Sequence, residues 1–197
     1  MSIRSCLLLF ALTFAAGAQS ITAQQITMDL DPAKSKIEFV LGDVLHTVHG
    51  TFRLKTGHVA FDPISGAVSG EATVDANSGD SGGSLRDKRM KRDILETDRY
   101  PDISFAPTKV AGTVSAAGNS LVKVTGWFSL HGQRHEITIP MEVRMSGSDI
   151  LATSSFSIPY IAWGLKNPST FMLRVNDHVD IQLTAAGSLA AVRMSRR

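Results

Sequence analysis

Val122-Lys123-Val124-Thr125-Gly126-Trp127-Phe128-Ser129-Leu130 is followed, across His131-Gly132-Gln133-Arg134, by His135-Glu136-Ile137-Thr138-Ile139-Pro140-Met141-Glu142-Val143-Arg144-Met145. In the first half Val122, Val124, Phe128 and Leu130 alternate with Lys123, Thr125 and Ser129. In the second, Ile137, Ile139, Met141, Val143 and Met145 alternate with Glu136, Thr138, Glu142 and Arg144. A period of two sends one set of side chains to one face of an extended strand. Two such runs around a short glycine-containing turn predict an antiparallel hairpin with an apolar face.

The same period recurs on both sides of this hairpin. Ile37-Phe39-Leu41, Val59-Phe61, Ala72-Val74, Ile103-Phe105, Phe156-Ile158, Phe171-Leu173-Val175 and Val179-Ile181-Leu183 repeat it in shorter form. Turn signals separate them at Asp62-Pro63, Ser65-Gly66, Ala116-Ala117-Gly118-Asn119, Ser146-Gly147-Ser148 and Asn176-Asp177. One segment breaks the pattern. After the glycine-rich Ser78 to Gly83, Ser84 is placed to cap a helix over Leu85 to Leu95, with Met90 and Ile94 on one face and Tyr100-Pro101 as its stop. About eight to ten strands with a single helix predict an all-β sandwich or barrel. A closed antiparallel barrel of about eight strands, with the short helix near its mouth, removes sheet edges and encloses room for side chains or one small ligand.

Composition limits the function classes. The 197 residues are 43% apolar and 19% charged, enough for one domain with a sizeable core. The net charge of +2 comes without a long single-sign tract, so nucleic acid is not an expected partner. Arg4, the apolar run Leu7 to Phe14 and the small residues Ala16-Gly17-Ala18 and Thr22-Ala23 read as a secretory signal peptide over residues 1–23, cleaved after Ala18 or Ala23. The apolar run is too short to span a bilayer, and no later stretch is longer, so no integral membrane span is expected. Cys6, the single cysteine, would leave with the leader. The barrel domain of 24–187 would then hold together by core burial alone, without disulfides or thiolate chemistry. Residues 188–197 read as a flexible basic tail.

Four segments in order carry a family resemblance. Arg86-Asp87-Lys88-Arg89-Met90-Lys91-Arg92-Asp93-Ile94-Leu95-Glu96, followed by Tyr100-Pro101-Asp102-Ile103-Ser104-Phe105, resembles the helix and "YP-x-I-x-F" strand of the YceI-like family. Ser35 to Phe52, ending in His49-Gly50-Thr51-Phe52, is similar to that family's opening strands. Gly126 to Gly132 resembles its "G-x-L-T-x-H-G" hairpin, and Trp163-Gly164 to Val175 its late pair of strands. Ile158-Pro159-Tyr160 departs from the commonest pattern, where many members carry an arginine. The resemblance implies a lipocalin-like antiparallel barrel exported to the periplasm or secreted. It further implies binding of a polyisoprenoid or similar amphiphilic lipid in the barrel, with a place in the envelope stress response.

A water-insoluble chain needs a concave apolar lining with few polar anchors. Phe39, Phe61, Phe105, Phe128, Phe156 and Phe171 lie on the apolar parity of their strands, with Phe52 and Met141 as companions, and these are the expected cavity lining. Side chains of this kind also fill a closed core, which is the plainer alternative. Arg86, Lys88, Arg89, Lys91, Arg92 and Arg99 are interleaved with Asp87, Asp93, Glu96 and Asp98. They form either a solvated face or a lid whose Arg86 or Arg89 meets an anionic head group or a membrane surface.

His46, His49, His131 and His135 offer imidazoles but not metal-site spacing, since i,i+3 residues on a strand face opposite ways and the second pair flanks a turn. No metal or other cofactor is expected. Neither a G-x-S-x-G elbow nor a phosphate-cradling or dinucleotide motif is present, so the sequence does not read as an enzyme. Two other readings stay open: a ligand-free envelope interaction module with a filled barrel, and a metal-dependent envelope hydrolase. A homodimer is compatible with the sequence.

Overall fold

The structure is a computed structural model that describes residues 25–42, 47–115, 117–169 and 174–189. Nine strands appear in chain order: β1 Ile26–Leu30, β2 Lys36–Gly42, β3 Thr47–Phe61, β4 Val68–Asp80, β5 Asp102–Ala111, β6 Gly118–Leu130, β7 Gln133–Ser146, β8 Asp149–Ile158 and β9 Val179–Leu189. A helix, α1, covers Ser84–Arg89 and runs into a π-helical turn over Met90–Ile94.

The strands close into an antiparallel barrel. The ring runs β3, β2, β9, β8, β7, β6, β5, β4 and returns to β3. β1 does not add a ninth position. It pairs with the far end of β3, Ile26 opposite Phe61, and with the far end of β9, Met28 opposite Leu189. β2 pairs with the near ends of the same two strands. Together β1 and β2 therefore act as one strand broken at Asp31–Ser35, and eight positions complete the barrel.

The β6–β7 hairpin is in the register that its alternation demands, with Val124 opposite Ile139 and Leu130 opposite Gln133. Its loop is tighter than the sequence suggests, because β7 begins at Gln133 and only His131 and Gly132 turn the chain. Both have positive φ, 52° and 74°, as a two-residue type I′ turn requires. Glycine takes that conformation without cost, whereas histidine does not.

Two bulges decide which way side chains point. Inward positions on β3 are even-numbered at Val48, Phe52 and Leu54 but odd-numbered at Val59 and Phe61. The register shift between Leu54 and Thr56, where Lys55 is the extra residue on β3, makes that change of parity possible. On β5, Ile103, Phe105 and Pro107 point in, and a shift between Pro107 and Lys109 turns Val110 inward as well.

Several expectations are corrected. The helical segment covers close to its expected extent, but only its first half is α-helical: Leu95 N–H donates to the Met90 carbonyl, five residues back, and Glu96 at φ 47° stops the segment before Tyr100-Pro101. Ser84 is its first residue and not its cap; Gly83 sits at the cap position without a side-chain bond. Trp163 and Gly164 lie in a turn and Leu165 to Ser169 is irregular chain, where the resemblance placed the start of a late pair of strands. Ser188 and Leu189 belong to β9 and not to a tail. Residues 1–24, which hold the expected leader, residues 190–197, His46 and Phe171 lie outside the described residues.

Two buried clusters flank the interior. Leu95, Leu130, Ile158, Tyr160 and Leu165 close the end beneath the helical segment, with Met90, Ile94 and Trp163 packed on them. Val122, Val124 and Ile139 line the β5–β8 wall. Between them the barrel is hollow.

Candidate ligand-binding cavity

The interior holds a cavity of about 820 Å³, toward the upper end of the range for small-molecule sites. Every strand contributes to it. Phe39, Phe52, Phe61, Phe105, Phe128, Met141 and Phe156 all line it, each standing on an inward position of its strand. Aliphatic side chains such as Met28, Leu54, Val124, Ile139, Ile181 and Leu183 fill the spaces between the aromatic rings.

Glycines make room for the larger rings. Gly50 faces Phe39 across β2 and β3, and a Cβ there would stand 2.2 Å from the Phe39 ring and 2.6 Å from the Asp80 carbonyl oxygen. Phe39 then meets Phe52 at 5.3 Å between ring centroids. Gly126 on β6 similarly accepts the Phe105 ring. The sequence announces most of the phenylalanines by parity, but which glycine receives a ring, Gly50 directly opposite Phe39 or Gly126 diagonal to Phe105, requires the strand register.

Polar lining is concentrated at one end. Arg86, Arg89 and Asp93 of the helical segment, with Lys166, Asn167 and Ser169 of the 160s loop, border the cavity where that segment lies across the barrel. The two arginines named from sequence have different surroundings. Arg86 donates from Nε to the Ser81 hydroxyl and from Nη2 to the Ser81 carbonyl, both at 2.7 Å. Ser81 in turn donates to Asp87, whose carboxyl is held below the usual range by that hydroxyl. Arg86 thus fastens the start of the helix. Arg89 is exposed and has no carboxylate within ion-pair distance among the described residues.

Glu96 joins three elements at this end. Lys166 Nζ lies 3.2 Å from it, Arg99 3.4 Å and His131 Nε2 3.6 Å. The bonded Lys166 ammonium, aided by the charges of His131 and Arg99, holds Glu96 below the ordinary carboxylate range. Tyr160, buried nearby, donates to the Asn176 carbonyl at 2.6 Å. Burial and then the Asp177 charge push its phenol up to about 12, so it remains a donor. Trp163 stands between the Phe128 ring, 5.7 Å away, and the His135 ring, stacked at 4.1 Å and 2°. None of these partners follows from strand periodicity: Glu96, Lys166 and Trp163 all lie outside strands.

The described histidines do not converge. His131 touches Tyr100 at 4.5 Å and Glu96, while His135 stacks on Trp163; the Nε2 atoms of both are buried without a hydrogen-bond partner. Among the described residues no three His, Cys, Asp or Glu side chains are grouped as metal ligands. No described helix is long and apolar enough to cross a membrane.

Comparison with known proteins agrees with the architecture. The YceI-like domain family model matches residues 28–186. A UPF0312 protein of Vibrio parahaemolyticus is 31% identical over 145 residues, covering 72% of this chain and 73% of its own. A UPF0312 protein of Shewanella denitrificans is 30% identical over 135 residues, covering 66% of this chain and 68% of its own. Among solved structures, Burkholderia cenocepacia BcnA superposes with a TM-score of 0.65 at 23% identity, over 80% of this chain and 99% of that one. A polyisoprenoid binding domain from Saccharophagus degradans, implicated in plant cell wall breakdown, gives 0.61 at 19% identity, over 83% and 98%. At these identities the two structures establish a shared fold.

Proposed function

The chain belongs to the YceI-like family, and on that premise we propose that it is an exported carrier that sequesters a polyisoprenoid-like amphiphilic lipid inside its barrel. The observation that carries this reading is the asymmetry of the cavity: apolar along nearly all its length, with its charged side chains, Arg86, Arg89, Asp93 and Lys166, at the helical end only. A branched hydrocarbon tail fits the apolar part, where each buried CH₂ contributes roughly 0.8 kcal/mol. Phe39, Phe52, Phe61, Phe105, Phe128, Met141 and Phe156 would contact the tail, and Arg89 the head group. Arg86 serves the site indirectly by holding the helix. The polyisoprenoid-binding description of the Saccharophagus degradans domain supports the ligand class. Non-covalent burial suffices for such a role, so no catalytic step is assigned.

Export to the periplasm is part of the same proposal. Its support is the leader-like pattern of residues 1–23, with a basic start, a short apolar run and small residues after it. Service in an envelope stress response is an extension of that placement.

Native mass spectrometry of the mature protein, followed by denaturing extraction of the same sample, tests the ligand. A stoichiometric lipid with an isoprenoid tail is the expected result. A bare polypeptide mass that added polyprenyl lipids leave unchanged would overturn the carrier reading in favour of a ligand-free interaction module.

A further inference from the structure

The helical segment that borders the cavity divides its charges unequally between its two sides. Met90, Ile94 and Leu95 turn inward onto the barrel end. Leu85, Lys88 and Arg89 are exposed at i, i+3 and i+4 of α1, which is the spacing of one helical stripe, and the exposed Arg92 follows in the π-helical turn. Leu85 is 77% exposed, an apolar side chain held in water beside three cations.

The neighbouring carboxylates do not neutralise this stripe evenly. Asp87 is taken by Ser81, and Glu96 by Lys166 and Arg99. Asp93 forms a bidentate pair with Arg92. Asp98 lies beyond the helical segment. Among the described residues Lys88 and Arg89 are left without an ion-pair partner, next to the exposed Leu85. Leu85 and Arg89 also border the cavity, so the stripe is continuous with its polar end.

We infer that this stripe is a docking surface for an anionic bilayer, against which the polar end of the cavity is presented. The inference rests on the carrier reading for its purpose, because a carrier of a membrane-resident lipid must meet the membrane at the end where the head group sits. Charge selects the partner. Unpaired cations favour an anionic lipid surface, and a single leucine seats itself among the head groups without inserting a span.

The test is flotation of the mature protein with vesicles of phosphatidylglycerol and phosphatidylethanolamine, against vesicles of phosphatidylcholine alone. Binding to the anionic vesicles only, abolished near 1 M salt where charges are screened within about 3 Å, is expected. Lys88→Gln should weaken it roughly five-fold, as loss of one cation near an anionic surface does. Leu85→Ser/Lys88→Gln should weaken it further. Equal flotation with both vesicle types, or a double variant that floats as the unaltered protein does, overturns the inference.

Lipid content separates this proposal from the one before it. Protein that floats on anionic vesicles yet takes up no polyprenyl lipid upholds docking and removes the carrier function. Protein that carries lipid yet does not float retains the cavity reading and removes the docking surface. Since Leu85 and Lys88 project into solvent, their replacement leaves the barrel intact, and the salt dependence of the unaltered protein tests the inference without any variant.

Discussion

The Glu96 carboxylate lies 3.6 Å from the His131 imidazole, Oε2 to Nε2, and both residues hold left-handed backbone, at φ 47° and 52°. Among the described residues these are the two non-glycine positions with positive φ. One ends the helical segment and the other turns the β6–β7 hairpin. Each conformation is unfavourable for a side chain with a Cβ, and such conformations persist where surrounding structure over-determines them. Here the surroundings are the same set of contacts: Glu96 reaches His131, Arg99 and Lys166, and His131 rests on Tyr100. The helical segment, the hairpin and the 160s loop are thereby fastened together over one end of the cavity.

That fastening is pH-dependent with a definite sign. The folded pKa of Glu96 is depressed, so its contribution is present above the unfolded value of about 4.3 and is lost as pH falls through the lower folded value. Glu96→Gln should therefore melt at a lower temperature than the unaltered protein at neutral pH. The gap should close below about pH 4.3 as the carboxylate protonates. Melting curves across pH check this; a gap undiminished at pH ~2 would mean that the charge of Glu96 is not what holds the elements together.

Ile158 is the most deeply buried large side chain, 2% exposed at the end of β8, within the cluster that closes the barrel. Ile158→Ala should cost about 2–5 kcal/mol of unfolding free energy. Leu121, 80% exposed on the outer face of β6, should tolerate Ser within about 0.5 kcal/mol. Urea denaturation of the two variants measures the contrast, and similar losses at both positions would contradict the burial described.

Gly50→Ala introduces a Cβ into the Phe39 ring and against the Asp80 carbonyl. The ring can shift, but the carbonyl belongs to β4 and is fixed by the sheet. A loss of about 1–3 kcal/mol is expected, in the range of overpacked cores. Hydrogen exchange should locate the damage in β2, β3 and β4 while β6 and β7 keep their protection. Uniform loss of protection through the barrel would contradict a local clash.

Ala152 on β8 is 5% exposed and borders the hollow interior. Ala152→Phe extends a ring into cavity space, where it meets fewer atoms than in a filled core. The far-ultraviolet spectrum should be retained, while the amount of lipid extracted per protein falls several-fold. Undiminished lipid would place the ligand elsewhere.

Strand periodicity is a local property, and it was legible without the fold. The β6–β7 hairpin, the inward phenylalanines and the all-β class follow from alternation, because successive side chains on an extended backbone must face opposite ways. The same rule could not carry a reader through β3. Phe52 and Phe61 have opposite parity, and both point inward only because one bulge between them, at Lys55, shifts the register. Arg86 and Arg89 look alike in sequence and both are exposed, yet Ser81, five residues before Arg86, engages the guanidinium of Arg86 alone.

What the chain determined by itself was therefore the strand content, the apolar face of each strand and a helical interruption after Gly83. These depend on neighbours in sequence. Closure of the ring, the merging of β1 and β2 into one barrel position, the empty volume and the Glu96 junction depend on residues far apart in the chain. Asp31 to Ser35 allows β1 and β2 to share the same partners, and only pairing with β3 and β9 makes them one position. The hollow arises because inward side chains from eight positions do not meet at the axis, a quantity set by barrel radius and absent from any single strand.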